Sequence, residues 1–594
     1  MKLTGAGKIA IILLLAVAAG LLYYYFGPEL KIAESKNVST IDVQNDNVNV
    51  TTTSAKMDLP SESASNLSKP LVNISGYAWN AQSGIIAANG GPRTTQGSLM
   101  EKNGINLSLT RQDWLSELRN NQMKFIESFD TGQDFPAEGS AGIMIMGDGA
   151  PFYISSTQQA LDEKYGKGKY NLKIVGALGK SVGEDKLIGP VAWKLNPQSA
   201  KGAYISTVIG DGDWVVLVNW AAINGIKVNP DPNTYDPDAL NFKAAKNDDF
   251  VEAAKEFITS QKQGLEYELK VVKNGKPTGE TIKKKIDGCS TWTPADKMIF
   301  DELSGVTDII STKEFNNQMP CVLIMPDEWC KKHPEVVTGI LKASLEASNQ
   351  IKQYDEWGKF ASGAVAKTFA SETPEFWNKM FKGYTETKNG LPINVGGSQV
   401  MNLADNKMYF GLTSGESSRY EKVYNQVSNY LKDLNPAGFN DNVKAITPYA
   451  GAMNLTYLSS ITGIDEGTAT TANYDRTAST LVGKGSWQIN FATGNAEIMS
   501  SSFKTLQTIL NLLVEAESGK IEVFGHTDNT GNAAANEALS QERAKAVKAW
   551  LKSRGIPENR FQAVQGKGQS DPIEDNDTPA GRAKNRRVEI VIKN

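Results

Sequence analysis

The stretch that most limits what this chain can become lies near its carboxyl end. It reads Gly525-His526-Thr527-Asp528-Asn529-Thr530-Gly531, followed by Asn536-x-x-Leu539-Ser540-x-x-Arg543-Ala544. Ile521 and Val523 alternate with outward residues, so Lys520–Gly525 reads as a short strand. His526 to Gly531 is rich in turn formers and reads as a loop at the strand's carboxyl end. From about Ala533 to Ser553, Leu539, Ala546, Val547, Trp550 and Leu551 recur at helical spacing, and Gly555 stops the helix. Asp528 then sits on a strand-end loop and Arg543 on the next helix, where both border one pocket. A carboxylate takes an ammonium and a guanidinium forks onto a carboxylate. An anion and a cation that do not neutralise each other therefore make a receptor for a zwitterion.

A third motif, Gly581-Arg582-Ala583-Lys584-Asn585-Arg586-Arg587-Val588-Glu589, follows in order. Together the three resemble the peptidoglycan-binding OmpA-like domain, over roughly Gly485–Asn594. The resemblance implies that Asp528 and Arg543 bind the free ammonium and carboxylate of diaminopimelate in the cell-wall stem peptide. It places Asn536 and Arg586 on the same site, with Thr530 beside them. Around the motifs, Gln488–Phe491 reads as a strand and Glu497–Glu517 as a helix with Ile498, Leu506, Ile509, Leu510 and Leu513 on one face. A strand near Phe561–Gln565, a loop with Pro572 and a last strand carrying Val588, Ile590 and Ile592 complete a β-α-β-α-β-β unit with helices on one sheet.

A chain of 594 residues exceeds a single core and predicts several domains. The net charge of −4 leaves no electrostatic footprint for nucleic acid. His333 and His526 are the two histidines, which excludes a multi-histidine metal site. Cys289, Cys321 and Cys330 allow one disulfide at most, and with no C-x-x-C knuckle no zinc site is expected. No metal or other cofactor is expected.

Ile9 to Phe26 is an uninterrupted apolar run, at the lower limit for spanning a bilayer. Lys2 and Lys8 precede it and Tyr23–Phe26 ends it, matching the positive-inside rule and an interfacial aromatic belt. Residues 1–30 read as a cytoplasmic tip and inner-membrane anchor, with the bulk of the chain in the periplasm. A cleaved signal peptide ending at Ala16-Val17-Ala18 is the competing reading, against which the apolar run continues well past Ala18. No cysteine near it makes a lipoprotein, and no Asp or Glu lies within it. Residues 31–70, poor in large apolar side chains from Glu34 to Pro70, read as a flexible linker spanning roughly 35 Å as a coil. Short strand pairing within it is compatible with the composition.

Residues 71–460 alternate short apolar runs (Leu71–Tyr77, Ala141–Met146, Leu172–Gly176) with helical stretches (Trp114–Ser128, Ser155–Tyr165, Phe250–Ser260). Such alternation predicts α/β architecture, mainly parallel sheets, and ligands at the carboxyl ends of strands. Pro334–Tyr354 and Ser417–Leu434 read as long helices of a second half, so two lobes and a cleft are expected. The segments Gly76-Tyr77-Ala78-Trp79-Asn80, Asn89-Gly90-Gly91 with Thr94 and Thr95, Gly288–Pro294 and Asp308–Lys313 resemble periplasmic solute-binding proteins of the nitrate, sulfonate and thiamine-precursor group. The resemblance implies ligand contact by Asn80, Asn89, Gly90, Thr94, Trp292 and Thr293; a plain structural reading assigns the glycines to turns and Trp292 to the core. Gly210-Asp211-Gly212-Asp213-Trp214 suggests calcium by composition, but lacks the EF-hand glycine and glutamate and reads as a turn or helix cap.

Residues 461–484, rich in Gly, Thr, Ala and Ser, read as a connector to the last unit, 485–594. The fold class is therefore multidomain α/β and α+β. No nucleophile elbow, Walker loop or dinucleotide fingerprint is found, and no enzyme is expected. The expected function is binding: peptidoglycan through diaminopimelate, and a small solute in the cleft. The alternative is a mechanical or stator-associated anchor, with a spacer in the middle and a permease or motor-type channel as membrane partner.

Overall fold

The computed structural model describes residues 39–40 and 55–594, apart from 389, 473, 475–477, 479 and 493. The apolar run Ile9–Phe26 lies outside these. Among the described residues no helix is long and apolar enough to cross a membrane.

The middle of the chain builds two six-stranded sheets. One orders its strands Ser398–Val400, Leu172–Ser181, Pro320–Pro326, Gly142–Met146, Leu71–Gly76, Asn106–Arg111. The other runs Val306–Ser311, Lys186–Pro190, Gly288–Thr291, Tyr204–Thr207, Ala239–Ala244, Lys227–Asn229. The chain passes between them twice, at 182–185 and at 312–319. Both crossings are zipped together: Ser181 Oγ and Thr312 Oγ1 lie 2.6 Å apart, Gly183 N donates to Thr312 Oγ1 at 2.8 Å, and Thr312 N donates to the Asp185 carbonyl at 3.0 Å. The first sheet is mixed, with three antiparallel pairings and two parallel, while the second is mainly parallel, three pairings against two. Strands entering from a crossing, such as Pro320–Pro326, pair antiparallel with their neighbours, while Leu71–Gly76 pairs parallel with Asn106–Arg111 and Gly142–Met146.

Helices form where apolar spacing and caps agree. Asp249 accepts from Val251 N and Glu252 N at the start of Phe250–Gln263, and Gly264 closes it at φ 75°. The core is unusually aromatic, with Trp79, Trp214, Trp220, Trp292, Trp329, Trp357 and Trp377 all buried. Cys289, Cys321 and Cys330 are buried free thiols.

The expected linker is not free throughout. Residues 55–70 lie along the first lobe: Met57 N donates to Gln350 Oε1 at 2.9 Å, Trp357 Nε1 to the Met57 carbonyl at 3.0 Å, and Ser65 N to the Thr94 carbonyl at 3.0 Å. Met57 and Leu59 add the apolar contact that composition averaged over the segment hid. Upstream, Ser39–Thr40 pairs antiparallel with Tyr384–Thr385.

The last unit is a four-stranded sheet, ordered Leu481–Trp487, Val588–Lys593, Lys520–Gly525, Phe561–Gly566, with helices Phe503–Glu515 and Ala533–Lys552. Its first strand is Leu481–Trp487, not Gln488–Phe491, and begins inside the expected connector. Glycines hold two inward positions there, so the strand shows no apolar alternation. A Cβ on Gly485 would lie 2.0 Å from the Trp487 ring, and one on Gly483 2.5 Å from Ile223. The first helix starts at Phe503, because residues 490–502 turn back on themselves; Phe491 and Ile498 bridge, and Asn490 N donates to Ser502 Oγ at 2.7 Å. Helix Pro579–Asn585 adds an element absent from the expected order.

This unit docks on the middle one. Asn511 Nδ2 donates to Gln426 Oε1 at 2.8 Å. Asn317, in the second crossing, donates its N to the Glu515 carbonyl at 3.0 Å and its Nδ2 to the Val514 carbonyl and Glu517 Oε2, both at 2.7 Å. Glu517 also takes Arg419 in a two-pronged pair at 2.9 and 3.0 Å. Burial works against the Glu517 carboxylate, yet Arg419 outweighs it and holds the pKa down to about 2.

Candidate functional site

Strand Lys520–Gly525 ends where the sequence places its loop, and two glycines decide how close the next helix comes. A Cβ on Gly525 would sit 2.2 Å from the Ser540 carbonyl oxygen, and one on Gly566 2.4 Å from Gln541 N. Helix Ala533–Lys552, capped by Asn532 on Ala534 N and Ala535 N, therefore lies directly on the sheet. Ser540 Oγ accepts from Gly568 N at 2.9 Å and ties in the neighbouring loop.

The loop is organised around Asp528, 8% exposed. Its Oδ1 accepts from Thr530 N at 3.0 Å, and its Oδ2 pairs with Arg586 Nη1 at 2.5 Å. Burial raises the carboxyl pKa; Arg586 and Thr530 outweigh burial and hold it below the usual range. Asn536 Nδ2 braces the loop from the helix through the carbonyls of Asp528 (3.3 Å) and Thr530 (3.1 Å) and Gln569 Oε1 (2.9 Å). Arg543 donates Nε to the Asn495 carbonyl at 3.2 Å and lays its guanidinium over Phe491, 4.9 Å from the ring centroid. No carboxylate pairs with Arg543 among the described residues. Asp528 and Arg543 thus stay unpaired with each other, as expected, but Asp528 is not free: Arg586 already neutralises it. His526 is buried behind the loop, its pKa lowered to about 4 by burial and by Arg587, so its ring is neutral at neutral pH.

The cleft residues divide into two groups. Asn80 Nδ2 reaches Glu184 Oε1 at 3.4 Å and the Trp377 carbonyl at 3.3 Å, beside the first crossing. Trp292 packs on Phe250 with centroids 3.5 Å apart and faces Tyr77 of the opposite lobe at 5.6 Å. Thr293 follows it, buried. These three lie where the strands' carboxyl ends converge. Asn89, Gly90 and Thr94 do not. Helix Ser83–Asn89 runs away from the convergence and ends on Gly90 at φ 81°. Asn89 spends its amide on the carbonyls of Gly91 and Leu107, and Thr94 Oγ1 donates to Asn89 Oδ1 at 2.8 Å. All three serve the helix end against the start of strand Asn106–Arg111.

The lobes are closed on each other: Tyr77 Oη donates to Asp211 Oδ2 at 3.1 Å, and Trp114 Nε1 to Asp249 Oδ2 at 3.0 Å. Between them lie Asp148, Glu184, Asp185, Asp211, Asp213 and Asp296, each at most 2% exposed. Asp211 also caps helix Gly212–Ile223 through Gly212 N at 2.8 Å.

Residues 490–586 match the model of the OmpA family. The carboxyl-terminal unit is an OmpA-family domain. A 104-residue stretch is 38% identical to a peptidoglycan-binding protein of Mycobacterium tuberculosis, covering 18% of this chain and 32% of that protein. A 105-residue stretch is 36% identical to an outer-membrane lipoprotein of Pseudomonas aeruginosa, covering 18% of this chain and 62% of that protein. The chain therefore spans less than two thirds of these relatives. The middle unit is similar in fold to the periplasmic nitrate-binding protein of Synechocystis, with 11% identity, TM-score 0.42, and coverage of 66% of this chain and 99% of that one.

Sequence reasoning missed part of each site. In the OmpA-family domain it missed Phe491 and Asn495, which hold Arg543, because they belong to a stretch read as strand and helix start. Gln569, the third brace on Asn536, lies in a loop without a distinctive signature. In the cleft it read Asp211 and Asp213 as a turn or helix cap and missed Asp148, Glu184, Asp185 and Asp296. Each lies just beyond a strand's carboxyl end, on a different strand or crossing, and their one available signal was that shared position.

Proposed function

We propose that this protein is a cell-envelope receptor that holds peptidoglycan through its OmpA-family domain and a small solute between the lobes of its middle unit. Arg543 is the observation that carries the wall half: a guanidinium braced by Phe491 and the Asn495 carbonyl, without a carboxylate partner among the described residues. In this reading the free carboxylate of diaminopimelate forks onto Arg543, and its ammonium joins Arg586 on Asp528. Thr530 and Asn536 hold the loop in the receiving shape. Ile9–Phe26 anchors the chain in the inner membrane, with the remainder in the periplasm. The middle unit works by closure of its two lobes about the paired crossings.

Co-sedimentation of the full chain with purified sacculi tests the wall half. Sacculi with diaminopimelate stem peptides should retain the protein. Arg543→Ala and Asp528→Ala should each weaken retention by about 10- to 100-fold, the scale of a lost charge-assisted contact. Retention of both variants at the wild-type level would reject the assignment. The alternative, a mechanical anchor with the middle unit as spacer, expects the same wall binding but no solute-dependent change in stability.

A further inference from the structure

We propose that the interlobe cleft takes a small organic cation, an ammonium or amidinium compound, and excludes anions; this rests on the solute-receptor reading above. The cleft's charge is one-sided. Asp148 follows strand Gly142–Met146, Glu184 and Asp185 occupy the first crossing, Asp211 and Asp213 follow Tyr204–Thr207, and Asp296 follows Gly288–Thr291. Against these six stands one buried cation, Lys186, already committed to Asp296 and to the Asn394 carbonyl. The charged groups behind this shell do not reverse its sign. Glu515 is buried beyond Asp148, and Arg111 is paired with Asp113.

The second observation is what the cleft leaves unbonded. Asp185 and Asp213, wholly buried, hold their carboxyls against each other, and neither takes a full hydrogen bond from a donor elsewhere in the cleft. Thr293 Oγ1, on the loop facing Tyr77, is unpartnered and buried and can accept from an ammonium; the buried Trp292 Nε1 beside it is a free donor. Buried polar atoms are normally satisfied. Carboxylates of the two lobes and the crossing, set within reach of one another, cannot all ionise without a cation among them. Burial, reinforced by the neighbouring carboxylates, pushes Asp148 and Glu184 up to about 8 and Asp185 to about 7.

The walls specify an organic cation. Tyr77 reaches Asp211 through its hydroxyl, Trp79 reaches Glu184 through its indole N–H, and Trp292 packs beside Tyr77, so aromatic rings from both lobes border the carboxylates; ring faces attract ammonium groups. Among the described residues no group of three His, Cys, Asp or Glu side chains is placed to hold a metal ion. Nitrate or a sulfonate would meet six carboxylates and a lysine already occupied.

Thermal unfolding of the full chain, stripped of ligand, tests this with putrescine, agmatine and choline as cations and nitrate and ethanesulfonate as anions. At least one cation should raise Tm by about 3 °C or more, both anions should leave it unchanged, and Asp213→Asn should abolish the cation's shift. In the empty protein the same substitution should leave Tm close to wild type, because burial and the neighbouring carboxylates already hold Asp213 in its neutral form. Asp185→Asn serves as the second variant if the first does not fold. A flat response to all three cations overturns the proposal. In that event, a shift with nitrate or ethanesulfonate leaves the solute-receptor reading standing with the opposite ligand charge. A flat response to every probe, with both variants less stable than wild type, makes the cluster structural and removes that reading as well.

Discussion

Glu517 is the joint between the OmpA-family domain and the lobes, and removing its carboxylate should undock them before either unfolds. Its oxygens receive Arg419 Nε at 2.9 Å, Arg419 Nη2 at 3.0 Å, Asn317 Nδ2 at 2.7 Å and Tyr474 Oη at 3.1 Å. The Glu517 and Arg419 side chains are each 18% exposed. In Glu517→Ala, the arginine keeps only the Met408 carbonyl at 3.3 Å and a distant Glu416 at 3.7 Å. Breaking one side of a buried pair costs about 3–5 kcal/mol, and partial solvent access places this one near the lower end, about 3 kcal/mol. Because the lost bonds join two units, urea unfolding of the full chain should split into two transitions, and protease should cut the connector 461–484 sooner. A double-mutant cycle with Arg419→Ala should return a coupling of about 2 kcal/mol. A change under about 0.5 kcal/mol, or strict additivity of the two substitutions, would refute the reasoning.

Other outcomes follow from single side chains. Arg560, 1% exposed, gives Nε, Nη1 and Nη2 to the carbonyls of Gly519, Leu513 and Ala516 at the end of helix Phe503–Glu515. Arg560→Met should destabilise the OmpA-family domain by about 3 kcal/mol in denaturant titration, since three carbonyls lose their donor. Gly566→Ala drives a methyl against Gln541 N and should lower Tm, with loss of sacculus binding as the helix lifts. His526 has a folded pKa near 4 against an ordinary 6.5, so the unfolded chain binds the proton more readily. Its contribution is present above pH 6.5 and lost as pH falls toward 4. Stability should drop by up to about 3 kcal/mol over that window, and His526→Gln should flatten the profile.

How much of this was legible beforehand depends on whether a pattern was local. Strand Lys520–Gly525, its loop and helix Ala533–Lys552 announce themselves through alternation, turn residues and 3.6-residue spacing, and the structure places them at nearly those limits. Strand Leu481–Trp487 does not, because its inward positions are glycines, one set by Trp487 in the same strand and the other by Ile223, a contact that exists only once the units have docked. Asn89 and Thr94 show the reverse error. The family resemblance counts them as ligand contacts, yet a helix end uses those same side chains for its hydrogen bonds. The Arg586 partner of Asp528 lies 58 positions away in sequence, and the carboxylates of the cleft are drawn from four separate segments. No window along the chain contains either constellation.

The grip on Asn317 has a mechanical meaning. The crossing at 312–319 must bend whenever the lobes part, and it enters its strand through Met319 at φ 53°, a conformation few side chains accept. Asn317 donates three hydrogen bonds to residues 514–517, one from its backbone N and two from its side chain, and so fastens that crossing to the OmpA-family domain. A load applied through the OmpA-family domain is therefore delivered to the pivot of the two lobes rather than dissipated in a slack tether. How far the lobes part and how hard that domain is pulled become two readings of one joint.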